Sequence, residues 1–309
     1  MAAPKVLFIG GSGRNGSTIL ANVLGQIPGC CSVGELRYLW DRGLVENRHC
    51  GCGARFNECP FWRDVLARAF PDPPDGRELW RLREAGLRSR HLLLPSAASR
   101  KLAAPAYQDY LRATRRLYPA IQAVTGCDVI VDSSKFPSYQ AVLESFGEFD
   151  LYTVHLVRDP RAVTFSYCCR RKARSPFEQT RLEPRRPLTT ALNWHEWNVL
   201  LRRNARQRPD RYLMVRYEDF TREPEAVVRR ILAMVGMDGA PVPFVGDNEL
   251  VLGTHHTVSG NPDRFRTGTT VIRPDEEWRR QMGWGMRTLV SAVTWPERLR
   301  YGYVEGWAR

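Results

Sequence analysis

No run of about eighteen apolar residues, the least that spans a bilayer as a helix, occurs in this 309-residue chain. A transmembrane helix is therefore not expected. The first apolar run begins at Lys5, which leaves no room ahead of it for a signal peptide, so a cytoplasmic location is expected. Acidic side chains are in short supply: 33 Asp and Glu face 46 Lys and Arg, a net charge of +13. That balance points to polyanionic partners such as nucleic acid, anionic lipid or a phosphorylated cofactor. No basic patch interleaved with aromatics and no helix-turn-helix spacing occurs, so sequence-specific nucleic-acid binding is not expected. Internal repeats and low-complexity stretches are also missing, and no internal domain boundary is placed. The chain reads as a single domain over 1–309.

One further absence is the most informative. Lys5-Val6-Leu7-Phe8-Ile9 reads as a buried strand, Gly10-Gly11-Ser12-Gly13-Arg14-Asn15 as a turn, and Gly16 to Gln26 as a helix. Such a strand–loop–helix gathers backbone N–H groups and the positive end of a helix dipole into an anion site. The nucleotide-binding loop G-x-x-x-x-G-K-[ST] would place a lysine after Gly16, but Ser17 stands there. The cation has moved into the loop, at Arg14. A phosphate loop with its cation displaced suggests a phosphate ester other than a nucleoside triphosphate.

Strand patterns recur at Asp128–Val131, Leu151–Val157 and Tyr212–Val215, each followed by a helical pattern. The alternation predicts an α/β fold with a central parallel sheet flanked by helices and ligands at the strands' carboxyl ends. Residues 36–126 interrupt it with amphipathic stretches and are read as a mainly helical insertion that binds a variable substrate. Leu252 to Arg273 reads as a long loop. At the end of Leu151–Val157 lies Arg158-Asp159-Pro160, followed by Ser166. Asp159 is a natural helix cap and Pro160 a natural first helical residue. Arg158 then projects from the strand end, where a guanidinium fork and a hydroxyl can hold a second phosphate.

Together these elements resemble the sulfotransferases that use 3′-phosphoadenosine 5′-phosphosulfate (PAPS). The resemblance implies a P-loop-like fold and runs from residue 10 to 266. It implies that Gly13, Arg14, Asn15, Gly16, Ser17 and Thr18 cradle the 5′-phosphosulfate and that Arg158 and Ser166 bind the 3′-phosphate. Tyr217, in Arg216-Tyr217-Glu218-Asp219-Phe220, would lie near the adenine. Gly260, Asn261 and Arg264 would close over the nucleotide and return a cation to the 3′-phosphate. Glu35, in Val33-Gly34-Glu35-Leu36, resembles the glutamate base of the tyrosylprotein sulfotransferases, whereas phenol-sulfating members use a histidine; His256, ahead of the C-terminal loop, is the substitute candidate. Lys135 would stabilise the bridging oxygen as sulfate departs. The product would be 3′-phosphoadenosine 5′-phosphate (PAP), the acceptor a hydroxyl or amine of a small molecule or carbohydrate, and no metal would be required.

Two other readings stay open. Ile130-Val131-Asp132 looks like a kinase strand ending in a Mg²⁺-binding aspartate. A non-catalytic nucleotide- or polyanion-binding protein would also suit the charge, as would the basic run Arg170–Arg174 with Arg181, Arg185 and Arg186. The cluster His49, Cys50, Cys52 and Cys59 offers four zinc-type ligands, but its spacing matches no common zinc pattern. It is read as a tight loop with buried thiols or one local disulfide, and no metal ligands are assigned.

Overall fold

The computed structural model describes residues 3–169, 177, 185–205 and 208–304. The basic run Arg170–Arg174 and Arg181 lie outside the described residues. A five-stranded parallel sheet is built from β1 (Lys5–Gly10), β2 (Cys30–Gly34), β3 (Val129–Lys135), β4 (Asp150–Val157) and β5 (Tyr212–Arg216). The strand order is β2-β3-β1-β4-β5. β1, with the phosphate-type loop at its end, is therefore central and flanked on both sides.

The side-chain alternation of β1 explains the layers. Val6 and Phe8 point to one face and Leu7 and Ile9 to the other, all of them buried. On the Leu7/Ile9 face, α1 (Ser17–Leu24) brings Leu20, Val23 and Leu24 into the core. On the Val6/Phe8 face sits the insertion: α2 (Pro60–Ala69), α3 (Gly76–Ala85), α4 (Pro95–Ala103) and α5 (Pro105–Thr125), with short 3₁₀ and π turns before them. Its Trp40, Trp62, Tyr110, Leu117 and Tyr118 pack with Val6, Phe8 and Ile130 in one apolar cluster. Each such large side chain removed from water contributes about 1.5–3 kcal/mol, so the insertion is held on the sheet by shared core. The expected helical character of 36–126 matches the structure. Asp75 caps α3 by accepting from the N–H groups of Arg77 and Glu78.

The crossovers continue with α6 (Pro137–Phe146), α7 (Pro160–Cys168), α8 (Pro187–Ala205), α9 (Tyr217–Arg222) and α10 (Pro224–Met234), whose Val227, Val228 and Ile231 join the Leu7/Ile9 face. A small antiparallel sheet of β6 (Phe244–Gly246), β7 (Glu249–Leu252) and β8 (Gly268–Val271) follows, then α11 (Glu277–Gln281), α12 (Trp284–Val293) and α13 (Trp295–Arg300). The expected long loop from Leu252 to Arg273 thus contains β8 near its far end. Gly268-Thr269-Thr270-Val271 is too short and too exposed to show a period in sequence, and it is a strand because β7 pairs with it. No helix of the described residues is long and apolar enough to cross a membrane.

Candidate functional site

The carboxyl ends of β2, β3, β1 and β4 open on one side of the sheet, and there the loop between β1 and α1 turns. Gly16 starts α1 in the left-handed region at φ 93°, and a β-carbon on it would stand 2.5 Å from the ring of Tyr217. Only glycine combines that backbone with that approach. Gly13 lies against the Tyr167 hydroxyl in the same way. Asn15 is buried, and its amide donates to the Leu156 carbonyl on β4 at 2.8 Å while its oxygen accepts from the Ser17 N–H. Its side chain therefore moors the loop rather than facing a ligand.

Three expected groups meet at this loop. Arg14 Nε donates to Ser166 Oγ at 3.2 Å, and Arg158 Nη1 donates to the Arg14 carbonyl at 3.1 Å. The Arg158 guanidinium lies 4.2 Å from the centre of the Tyr217 ring, stacked as a cation on an aromatic face. Asp159 caps α7 as expected by accepting from the Arg161 N–H at 2.8 Å, which fixes Arg158 at the strand end. Arg158 is 6% exposed, and its Nε has no hydrogen-bond partner. A buried guanidinium N–H without an acceptor is costly, and an anion held beside the loop would satisfy it. Sequence reasoning missed Asp275, which accepts from Arg158 Nη2 at 2.8 Å. The two lie 117 residues apart, and no local pattern announces the pair. Beside Asp275 opens a cavity of about 280 Å³, bordered by Arg216, Tyr217, Glu218 and Trp278. It adjoins Arg158 but does not reach Glu35 or Lys135.

Glu35 and Lys135, 100 residues apart, form a buried ion pair, with Lys135 Nζ donating to Glu35 Oε1 at 2.6 Å. Lys135 Nζ also donates to the Ser133 carbonyl at 3.0 Å. The pair stands at the ends of β2 and β3. Four non-glycine residues among those described have left-handed backbone: Arg14, Lys135, Asn47 and Asn248. Asparagine tolerates that conformation, whereas arginine and lysine take it at a cost of roughly 1 kcal/mol each. The two strained cations are the two that sequence reasoning placed in the chemistry.

The segment 259–261 spans the gap between loop and ion pair. Glu35 N–H donates to the Ser259 carbonyl at 3.1 Å, and Asn261 N–H donates to Thr18 Oγ1 at 3.4 Å. A β-carbon at Gly260 would come within 4 Å of both Thr18 Oγ1 and Glu35 Oε1. Gly260 and Asn261 thus lie beside the loop. The Arg264 guanidinium donates to the carbonyls of Thr257, Val258 and His49, and the residue is 2% exposed. In this arrangement it also ties its own loop together.

Two residues of the alternative readings are engaged elsewhere. His256, named as the substitute base, turns its Nδ1 toward Cys59 Sγ at 3.3 Å and stacks on Phe61, so its ring is committed to the insertion. Asp132, the aspartate of the kinase-type alternative, is fully buried and accepts from the Tyr118 hydroxyl at 2.7 Å and from the Ser134 N–H at 2.9 Å. Burial pushes its carboxyl up to about 6, against those hydrogen bonds. Ser134 Oγ in turn accepts from the Arg37 N–H at 3.0 Å, so Asp132 braces the turn that follows Glu35. His155 lies in the core between Tyr212 and Asn198, as expected of a strand histidine. The cysteines form no disulfide: all eight are free thiols.

A parallel α/β sheet with a glycine-rich loop after its central strand is the arrangement of P-loop-like folds. Comparison with known families places the chain among them: the model of the sulfotransferase family matches residues 4–241, and the chain belongs to that family. Solved structures that align with it include the sulfotransferase domain from the curacin biosynthetic pathway, at 18% identity over 98% of this chain and 99% of that one, with a TM-score of 0.53. The sulfotransferase domain of the Synechococcus PCC 7002 olefin synthase aligns at 21% identity over 94% and 95%, with a TM-score of 0.44. A sulfotransferase from Alicyclobacillus acidocaldarius aligns at 15% identity over 98% and 96%, with a TM-score of 0.42. No curated protein matches the chain significantly.

Proposed function

We propose that this sulfotransferase-family protein takes the sulfuryl group from PAPS and passes it to a hydroxyl or amine of a small-molecule or carbohydrate acceptor in the cytoplasm. The observation that carries the reading is the meeting of Arg14, Ser166 and the unsatisfied Nε of buried Arg158 at one end of the anion loop. Those residues suit a nucleotide phosphorylated at two places. Arg158 and Ser166 hold the 3′-phosphate, Arg14 and the N–H groups of Gly16 to Thr18 face the 5′-phosphosulfate, and Tyr217 borders the adenosine end. When bound, PAPS supplies a sulfur already activated by its phosphate leaving group.

The chain's own residues do the rest. Glu35 takes the proton from the acceptor's nucleophile as it attacks in line. Lys135 sets a positive charge against the departing bridging oxygen, and Arg14 neutralises charge on the equatorial oxygens. Sulfuryl transfer develops less charge than phosphoryl transfer, so side-chain cations serve in place of Mg²⁺. The insertion at 36–126 contributes the acceptor-facing wall beside Glu35. The alternative that needs Asp132 as a metal ligand loses support, because that carboxylate is engaged with Tyr118 and Ser134.

The test is release of PAP from PAPS across a panel of phenol, alcohol, amine and sugar acceptors, without added Mg²⁺. Glu35→Gln should bind PAP within a few-fold of the unaltered protein while turnover falls about 10²–10⁴-fold, the range for a lost general base. Turnover by Glu35→Gln within a few-fold of the unaltered protein would remove Glu35 from the role.

A further inference from the structure

Cys50, Cys52, Cys59 and His256 converge although the histidine lies about two hundred residues from the thiols, and their four ligand atoms lie within 4.8 Å of one another. Sulfur–sulfur separations are 3.6 Å for Cys50–Cys59 and 3.8 Å for Cys52–Cys59. His256 Nδ1 lies 3.3 Å from Cys59 Sγ and 3.8 Å from Cys50 Sγ. A disulfide needs sulfurs about 2.05 Å apart, so these are not bonded pairs. A tetrahedron with zinc–sulfur bonds of about 2.3 Å has sulfur–sulfur edges near 3.8 Å, and zinc–nitrogen bonds of about 2.0–2.1 Å give mixed edges near 3.5 Å. The four spacings above lie close to four of the six edges, and the whole group lies within 4.8 Å.

The backbone around the group is shaped for it. Cys50 N–H donates to the Ala54 carbonyl and Gly53 N–H to the Cys50 carbonyl, which closes a tight knuckle carrying the first two thiols. Cys59 precedes Pro60 at the start of α2, where the helix dipole favours a thiolate. A β-carbon on Gly51 would stand 2.6 Å from the His255 carbonyl, so glycine is what lets the knuckle meet the chain that carries His256. Phe61 stacks on the imidazole at 4.9 Å and fixes its ring.

We propose that Cys50, Cys52, Cys59 and His256 bind one zinc ion in a closed Cys₃His site. Three thiolates and an imidazole in a tetrahedron select zinc over magnesium or calcium. All four positions come from protein, so the site is structural and holds no open position for a substrate or water. The sequence offered His49 as the fourth member, but the His49 ring lies against Phe177. The ligand is distant His256, and that distance is what the metal does for the fold. It fastens the beginning of the insertion to residues 255–257. The same stretch continues through the hydrogen bonds of Gly51 to Thr257, Val258 to Val33, Glu35 to Ser259 and Asn261 to Thr18. The ion therefore anchors the segment laid between the anion loop and the Glu35–Lys135 pair.

The readout is metal content, which stands independently of the donor and acceptor. Full-length protein purified under reducing conditions, without an affinity metal, should carry about one zinc per chain by elemental analysis. Cys59→Ser and His256→Ala should each lose most of it, while Cys169→Ser, at an exposed cysteine outside the group, should keep it. Should the ligand variants not fold, unaltered protein stripped by a chelator gives the answer. Stripping should lower its melting temperature, and zinc should restore it. Cobalt(II) in place of zinc should give the intense visible bands of a tetrahedral thiolate site. Folded, reduced protein that carries no zinc and gives no such bands would overturn the proposal. So would undiminished zinc in folded Cys59→Ser and His256→Ala, or an intact mass showing a Cys50–Cys59 disulfide in protein never exposed to oxidant.

Discussion

Removing both partners of the Glu35–Lys135 pair should cost well under the sum of removing each alone. The two side chains are each 10% exposed and 2.6 Å apart. At an effective dielectric constant of about 20, their direct attraction is about 6 kcal/mol before desolvation is subtracted. Lys135→Met leaves a buried carboxylate without its cation, and Glu35→Gln leaves a buried ammonium without its anion. Each should destabilise the fold by about 3–5 kcal/mol, much of it the cost of a lone buried charge. The double variant has no charge left to bury, so its loss should be smaller than the sum of the two by at least about 2 kcal/mol. Urea unfolding followed by tryptophan fluorescence and circular dichroism measures the three differences, provided the slopes stay equal. Single losses that add to the double loss within about 0.5 kcal/mol would refute the coupling, and with it the idea that these residues act as one unit.

Other outcomes follow from the same geometry. Arg158→Ala removes a charge-assisted contact to the second phosphate and should weaken PAP binding by about 1.5–3 kcal/mol, about 10- to 150-fold by calorimetry, with little change for AMP. Burial drives the His155 imidazole down to about 4. Below pH about 6.5 the unfolded chain therefore takes up a proton that the folded core refuses, and the stability from this group is lost as pH falls toward 4. The stability advantage of unaltered protein over His155→Gln should shrink by about 3 kcal/mol between pH 7 and pH 4, and a constant difference would contradict a neutral, buried His155.

The strand–loop–helix at the start was legible because it is local. Aliphatic Lys5–Ile9, the glycines and the apolar spacing after Gly16 each report a conformation that their own neighbours enforce. Asp159 and Pro160 likewise announced the start of α7. The sequence pattern stopped β3 at Val131, whereas the strand runs on to Lys135. Asp132, Ser133 and Ser134 look like a loop but are buried, and partners from α5 and the turn after β2 satisfy the polar groups of Asp132 and Ser134. The rest of the site depends on long-range meetings. Glu35 and Lys135 were each found at a strand end, but nothing within ten residues of either says that they touch. Arg158 with Asp275 and His256 with Cys59 are of the same kind. Arg264 is similar: nothing beside it in sequence announces that its guanidinium reaches the carbonyls of Thr257, Val258 and His49.

The central claim is that the loop and Arg158 together hold a nucleotide phosphorylated at both ends, and thermal unfolding with PAP, ADP, AMP and ATP tests it without knowledge of the acceptor. Stabilisation grows with ligand concentration over dissociation constant, so the ranking of shifts at equal concentration is the ranking of affinities. PAP should raise the melting temperature clearly more than ADP does, with no Mg²⁺ present, and Arg158→Ala should erase most of the difference. Equal shifts for PAP and ADP, or a shift that appears only when Mg²⁺ is added, would contradict the account.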